Sequence, residues 1–324
     1  MSTAAMIRVG GIGVIAGLVL TGCGVLPTQK AAAPPERPMI SQAQAAALMT
    51  NYDTVNNKSN AKRDSRLMAT VEDGDLLAQS LGSYSMSGRL GDKTAYKPFT
   101  FPKPIAFVPP AGAYPRAFFV YSKTSSNAKG NVLNVFRRSD AAAPWKKVLM
   151  GFSEELLPTI AVGPSGLATV VAPGASGYAV KPIDVAPLLA KAMLSAKSPE
   201  GAKFATSPIL KQYNKDYAEE LAAAKGKGTA TRQFTPTKDI YALKTKDGGV
   251  LVTGGMGWQA GSSLTGNWEY APEKSSDTYT YRLHPTPYQS ELYEYNAMWA
   301  VQVPVKGPLK LLMWDSEWAN FSAS

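Results

Sequence analysis

The spacing of apolar residues changes from a helical period to short strand-like runs, and this change occurs twice along the chain. A first helix is predicted from Ser41, which forms a capping box with Gln44 and precedes apolar residues at i, i+4 and i+7. A second helical stretch follows, with an interruption predicted at Gly74. The helical pattern ends before Phe99, where a different pattern begins.

Short apolar runs rich in β-branched and aromatic residues follow Phe99. They are separated by Pro, Gly and Asn, which is typical of antiparallel strands. The runs lie at residues 105–108, 117–121, 132–136, 147–152, 159–162 and 167–171. The first half of the chain is therefore predicted to contain helices followed by an antiparallel sheet.

The second half repeats this order. Helices are predicted at residues 185–194 and from Ser207-Pro208, which suit the N-cap and first position of a helix. Asp247-Gly248 predicts a hairpin between two strand-like runs. The strand-like runs of this half lie at residues 240–245, 250–253, 278–283, 292–303 and 309–314.

Two short alignments favour a duplication. The segment 99–106 (FTFPKPIA) resembles 234–241 (FTPTKDIY), and 144–150 (PWKKVLM) resembles 308–313 (PLKLLM). Convergent strand composition is the alternative explanation. We expect an α+β fold of two similar domains, residues 39–175 and 183–324, each with N-terminal helices packed on a curved antiparallel sheet.

Residues 1–22 have the features of a secretory signal. Arg8 precedes an uncharged apolar run, which ends at Leu20-Thr21-Gly22-Cys23. The run has about 12 residues, whereas a helix needs about 20 to cross a bilayer core. The tetrapeptide resembles the bacterial lipobox, whose cysteine sulfur is acylated with diacylglycerol before the chain is cut on its N-terminal side. The sequence thus predicts a lipid anchor at Cys23 and a Pro/Ala-rich tether over residues 23–38, on the extracytoplasmic face of the cell membrane.

Cys23 is the only cysteine, so an intramolecular disulfide is excluded. A lone free thiol would be a liability in an oxidising exported compartment, and lipidation removes it. An ordinary signal peptide followed by a chance cysteine is the alternative.

Composition favours a folded protein, because 45% of residues are hydrophobic and 18% are charged. The net charge of +10 is scattered and forms no nucleic-acid fingerprint, so nucleic acid is not an expected partner. The membrane, an envelope protein or a wall polymer are the expected partners, since basic side chains are attracted to anionic envelope surfaces. The alternative is that the charge serves solubility alone.

Two resemblances to known families follow from these features. Helices before a bent sheet, with a last strand that opens on Trp145-Lys146, are similar to the cone-shaped fold of the nuclear-transport-factor-2-like superfamily. The lipobox, the Pro-rich spacer and the segment 52–58 (YDTVNNK) together resemble uncharacterised lipoproteins of actinobacteria. These resemblances imply a bacterial origin and a fold, and no particular activity.

Few residues are available for catalysis. His284 is the only histidine and Cys23 is assigned to lipid, so no catalytic residue, metal or cofactor is predicted. The glycines of 254–257 (GGMG) lack the lysine of a phosphate-binding loop and predict a bulge or wide turn. Carboxylate pairs are interpreted as solvated, and they are Asp73/Asp75, Glu154/Glu155, Glu219/Glu220 and Glu291/Glu294.

Aromatic residues are concentrated in the last quarter of the chain. Rings with polar edges suit glycans and other ring-bearing ligands, and they also anchor protein partners. Most of these residues are expected in the core. Trp258, Trp268 and Tyr270 are the predicted ligand-contacting aromatics.

Three functions stay open at this point. A non-catalytic envelope module that binds a ligand or partner is favoured. An enzyme acting on a small molecule in a pocket is the second, and binding of cell-wall glycan through the C-terminal aromatics is the third. A deep pocket lined by a buried carboxylate or tyrosine would favour the enzyme, whereas pockets filled by aromatic side chains would contradict it.

The anchor is tested by Cys23→Ala. Without the acceptor sulfur, we expect the protein in the medium or as uncleaved precursor, as seen by fractionation and immunoblotting. Thr28→Ala, in the tether, is the control and should leave membrane retention unchanged. Normal processing and retention of Cys23→Ala would contradict the lipobox.

Overall fold

The computed structural model describes residues 36–126, 130–271 and 287–324. Cys23, the strand-like run predicted at 278–283, and His284 lie outside these residues. Within them, no helix is long and apolar enough to cross a membrane.

Three helices precede the first sheet, and they are α1 (Gln42–Lys62), α2 (Ser65–Met68) and α3 (Gly74–Arg89). The predicted capping box starts α1, because Ser41 Oγ accepts from Gln44 N and Gln44 Oε1 accepts from Ser41 N. The helical interruption lies at residues 69–73, and Gly74 begins α3 rather than breaking it.

The first sheet is an antiparallel meander in the order β1-β2-β3-β4. Its strands are β1 (Ile105–Phe107), β2 (Arg116–Ser122), β3 (Asn131–Arg138) and β4 (Lys146–Ser153). The two further runs predicted at 159–162 and 167–171 form only isolated pairings, of which two reach Leu243 and Thr245 in the second half. They stay short because a turn at Gly163-Pro164 separates them.

The second half has the same order of elements. Its helices are α4 (Val185–Leu194) and α5 (Pro208–Ala224), accompanied by short 3-10 turns at Pro182–Asp184 and Gly201–Lys203. Its strands form the order β5-β6-β7-β8 and are longer than predicted: β5 (Gly228–Lys244), β6 (Val250–Leu264), β7 (Ser290–Val303) and β8 (Lys310–Ala323).

The glycines at 254–257 lie inside β6, so the predicted wide turn is wrong, and the irregularity at this place lies opposite them in β5, between Pro236 and Ile240. Each of these residues pairs with β7 in unbroken register. A Cβ on Gly255 would stand 2.1 Å from the Asp75 carboxylate of α3. Glycine is therefore required here by the close approach of a side chain and not by a turn.

The two sheets pack face to face between two helical layers. Phe118 and Val120 of β2 join a core with α1, whereas Phe119 joins a central core between the sheets. On the far side of the second sheet, Val250 and Trp299 pack with α4 and α5. The central core draws on both sheets, and it includes Leu133, Val135, Leu149, Leu243, Leu251, Met298, Ala300 and Met313.

This arrangement confirms the α+β class, with helices followed by a four-stranded antiparallel sheet in each half. Glu36–Ser324 form one unit because both sheets contribute to the central core. The domain boundaries at 39–175 and 183–324 stay a prediction.

The two sheets approach each other closely at Gly151 of β4. A Cβ at this position would stand 2.5 Å from Sδ of Met313, which is fully buried on β8. Ser153 Oγ also donates to Leu312 O at 2.7 Å, and Met150 N lies 3.2 Å from Met298 Sδ. Because Gly151 has no side chain, β4 can pack directly against Met313 of β8.

We expect Gly151→Ala to destabilise the fold by about 1–3 kcal/mol, because the methyl group overpacks a closed core. Gly88→Ala on α3 is the control, since a Cβ there meets nothing within 4 Å. It should gain about 0.5–1 kcal/mol from lower unfolded-state entropy. Urea unfolding measures both, and a Gly151→Ala effect no larger than that of the control would contradict the packing.

Candidate functional site

Lys147 of β4 is completely buried beneath α1. Its Nζ lies 3.3 Å from the centroid of the Tyr52 ring and 4.4 Å from that of Phe101, and it donates to Asn134 Oδ1 at 2.9 Å. Aromatic faces attract an ammonium group through their quadrupole. These ring faces and one amide oxygen replace the water that the cation loses on burial.

Glu72 is the buried counterpart of Lys147. Its Oε1 accepts from Tyr52 OH and its Oε2 from Ser80 Oγ, each at 2.7 Å. Burial raises the pKa of Glu72 to about 7, against the opposing effects of these hydrogen bonds and of Lys147. Burial likewise lowers the pKa of Lys147 well below its usual value, while Glu72 and Asp53 oppose that shift.

A chain of hydrogen bonds connects this cluster with the surface. Asn56 Oδ1 accepts from Tyr52 OH at 3.3 Å and from Asn60 Nδ2 at 2.9 Å, and Asn60 Oδ1 accepts from Tyr84 OH at 2.8 Å. Asn60 and Tyr84 line a polar cleft of about 610 Å³. Glu72 itself is 1% exposed, so a substrate reaches it only if the surrounding rings move.

Aromatic side chains also fill the interior of the second half. Phe234, Trp258 and Tyr295 stack in a row across β5, β6 and β7, with the Trp258 and Tyr295 centroids 3.9 Å apart and their planes at 7°. Tyr213 of α5 packs edge-on against Trp258, and Trp299 is fully buried. Rings therefore fill the space between the helices and the sheet in both halves.

An open groove of about 530 Å³ lies where the end of α5 meets the ends of β5, β6 and β7. Cross-strand pairs Ala260–Tyr293 and Ser262–Glu291 share one face of the sheet, which continues the face of the aromatic row. The segment after β6 adds further side chains. The lining consists of Glu220, Ala223, Ala224, Lys227, Ala230, Ala260, Gly261, Ser262, Leu264, Trp268, Glu269, Tyr270, Glu291 and Tyr293.

Trp268 is the most exposed aromatic of this groove, at 51%. Lys227 Nζ lies 4.7 Å from the centroid of its ring. Tyr270 is held by a reciprocal backbone pair with Tyr288, at 2.7 and 3.1 Å, and the two ring centroids are 5.3 Å apart. The groove thus contains an exposed Trp268 ring, and the backbone pairing of Tyr270 with Tyr288 fixes the adjacent segment.

Glu291 lies in the groove wall and accepts three hydroxyl hydrogen bonds. Tyr288 OH and Tyr293 OH donate to Oε2 at 2.9 and 3.2 Å, and Ser262 Oγ donates to Oε1 at 3.0 Å. Three donors, one on β6, one on β7 and one just before β7, fix the direction of this carboxylate.

Arg232 closes the wall towards α5. Its side chain is 5% exposed and binds both oxygens of Glu220, with Nε 2.9 Å from Oε2. Its guanidinium carbon lies 5.5 Å from the Tyr217 ring centroid and 5.8 Å from that of Trp258. Arg232 therefore joins the groove wall to the aromatic row.

The structure brings two of the three predicted aromatics together. Trp268 and Tyr270 line the groove, whereas Trp258, at 7% exposure, lies in the aromatic row beneath it. Their role in binding stays a prediction. The sequence did not point to Glu291 as a groove residue or to Lys147 as buried, because the surroundings of both include residues that are close only in the fold, Ser262 for Glu291 and Tyr52 for Lys147.

Among the described residues, the lining of the groove contains carboxylates and tyrosine hydroxyls but neither histidine nor cysteine. Across the described residues, no three His, Cys, Asp or Glu side chains stand close enough to hold a metal ion. What the groove provides is ring faces and hydrogen-bond acceptors.

Residues 36–315 match the family described as Domain of unknown function (DUF8094), and the chain belongs to that family. A relative from Streptomyces coelicolor, named an uncharacterized lipoprotein, is 29% identical over 331 residues, which cover 94% of this chain and 91% of the relative. The predicted similarity to actinobacterial lipoproteins is confirmed by this relative. No solved structure matches the chain, and the resemblance to the nuclear-transport-factor-2-like superfamily stays a prediction.

The buried carboxyl of Glu72 predicts a pH-dependent stability. Its pKa is raised from 4.5 to about 7 on folding, so the stabilisation is fully present below pH 4.5 and is lost as pH rises through 7. Relative to Glu72→Gln, which stays neutral, the wild type should lose about 3 kcal/mol over this window. Urea unfolding at several pH values measures the difference, and a pH-independent difference would contradict the buried carboxyl.

Proposed function

We propose that this chain is a lipoprotein anchored through Cys23 on the extracytoplasmic face of the cell membrane, and that its folded part is a non-catalytic binding module. The lipobox behind an apolar signal and the similarity to a Streptomyces lipoprotein support the anchor. Residues 23–38 would then be the tether between the lipid and the fold.

The two halves, 39–175 and 183–324, are proposed to be duplicated domains. The final strands β4 and β8 both begin two residues after the aligned prolines Pro144 and Pro308. In the other alignment, Ile105 begins β1 and Ile240 resumes pairing with β6 after an irregularity in β5. The aligned prolines thus precede the last strand of each sheet, which supports a duplication, whereas Ile240 lies within β5 and not at its start.

The groove around Trp268 carries the proposal of a binding function. A half-exposed indole beside tyrosine rings and carboxylates is costly to leave in water and suits a ligand with ring faces and hydroxyl groups. A polymer of the cell wall has both, and it surrounds a protein tethered at the outer face of the membrane. We propose wall polymer as the ligand.

An enzyme is the less favoured alternative. The buried Glu72, Tyr52 and Lys147 have the residue types of an acid–base site, yet rings enclose them. Buried ionisable groups also occur in structural clusters, where they are held by paired hydrogen bonds as here.

We expect Trp268→Ala to weaken binding to purified wall material by about tenfold, since stacking of one ring is worth about 1–1.5 kcal/mol. Phe152→Ala removes an aromatic of similar exposure (42%) outside the groove and should bind normally. Co-sedimentation at physiological salt measures both. Trp258→Ala is unsuitable, because that ring is part of the core.

Wall binding by Trp268→Ala equal to that of Phe152→Ala would exclude the groove as the wall-binding site. No wall binding by the intact protein at all would contradict wall polymer as the ligand.

A further inference from the structure

We propose that the groove receives an ammonium group of its ligand, with the Glu291 carboxylate as the counter-ion and the rings of the groove around it. This proposal rests on the groove being a binding site and adds the chemical class of its ligand. It concerns amines that carry a positive charge at neutral pH, next to a part that stacks on aromatic rings.

Glu291 has room for one more donor. A carboxylate offers about four acceptor positions, two on each oxygen. Oε2 receives both tyrosine hydroxyls, whereas Oε1 receives only Ser262 Oγ. The open acceptor position is on Oε1, the oxygen that accepts the hydrogen bond from Ser262 of β6.

The charge of Glu291 has no cationic partner among the residues that the structure describes. Arg232, the buried cation of the groove wall, is committed to Glu220 through both carboxylate oxygens. Lys227 Nζ lies over the Trp268 ring and forms no ion pair with Glu291. Three neutral hydroxyls orient the carboxylate without cancelling its charge.

The surroundings favour a cation over a neutral group at this place. Tyr293 and Tyr270 line the same groove beside Trp268, and the exposed Glu269 adds a second carboxylate. The ammonium group of Lys227 lies over the Trp268 ring, so one ring of the groove already contacts a cation. A neutral ligand would cover Glu291 while leaving its charge unpaired, which costs desolvation free energy.

The same ammonium chemistry has two sources outside a cell, amino groups fixed on wall polymer and free small amines. Acetylation of the amino groups distinguishes a fixed source, because it removes the charge and leaves the polymer otherwise unchanged. It also controls for nonspecific attraction. A basic protein, with a net charge of +10 over the full sequence, is drawn more strongly to wall material that has lost positive charges, whereas the groove predicts weaker binding.

The experiment compares binding of the full-length mature protein to purified wall material before and after acetylation with acetic anhydride. We expect acetylation to weaken binding by about tenfold, the size of one charge-assisted contact. Glu291→Gln should bind native wall about as weakly as the wild type binds acetylated wall, and should no longer distinguish the two. Glu154→Gln, which neutralises an exposed carboxylate outside the groove, should behave like the wild type.

A second arm uses benzylammonium and benzyl alcohol, which share a ring and differ in charge, with tryptophan fluorescence as the readout. A preference for benzylammonium that Glu291→Gln abolishes supports the proposal even if no wall material binds, and then assigns free amines as the source. If Glu291→Gln fails to fold, this arm still tests the proposal, because the wild type alone either shows or lacks the preference for benzylammonium.

Equal binding of native and acetylated wall, together with equal binding of the two benzyl compounds, would overturn the ammonium proposal and leave the groove as a site for neutral ligands. Binding of none of the four by the wild type would contradict both the ammonium proposal and the proposed groove. The two failures are therefore distinguishable.

Discussion

The packing of one antiparallel sheet on the other is the constraint on which the rest of this structure depends. Each sheet has two apolar faces, an outer one covered by helices and an inner one covered by the other sheet together with α3, which packs against β7 and β8. Neither half can bury its inner face alone. The absence of a side chain at Gly151 lets β4 approach Met313, and Leu76 of α3 enters the same central core. What looks in sequence like two domains is in space one stack of four layers.

The sequence was sufficient for the order and type of most elements. The capping box at Ser41 and the Ser207-Pro208 start of α5 act locally, so each was visible in a few neighbouring residues. The extent of β5 to β8 was not, because small and polar residues such as Gly255 and Ser262 lie inside strands whose length is set by pairing with β7. The glycines of 254–257 suggest a turn when only the sequence is considered. The structure shows that Gly255 lies within β6, against the carboxylate of Asp75.

The candidate site shows the same division between local and long-range information. Trp268 and Tyr270 were predicted as ligand-contacting residues from their place in an aromatic, glycine-rich segment. Glu291 was interpreted as solvated. Its three hydroxyl donors come from another strand and from positions two and three residues away, and the sequence does not show that they converge on one carboxylate. Lys147 follows Trp145-Lys146 in a run that gives no sign of which lysine is buried. Only the pairing of β4 with β3 and the cover of α1 decide this.

The order of the two sheets along the chain has a consequence for biogenesis. Most of the cover on the inner face of β1 to β4 comes from residues 243 onward, and only Leu76, Ile160 and Ala168 of the central core precede them, so this face is incompletely covered while the chain emerges N-terminus first. Phe119, Leu133, Val135 and Leu149 stay exposed to solvent or to other chains until most of the second sheet has followed. A fragment that ends within β6 or β7 would lack part of this cover, so the first half of the chain is not expected to be a separately stable unit.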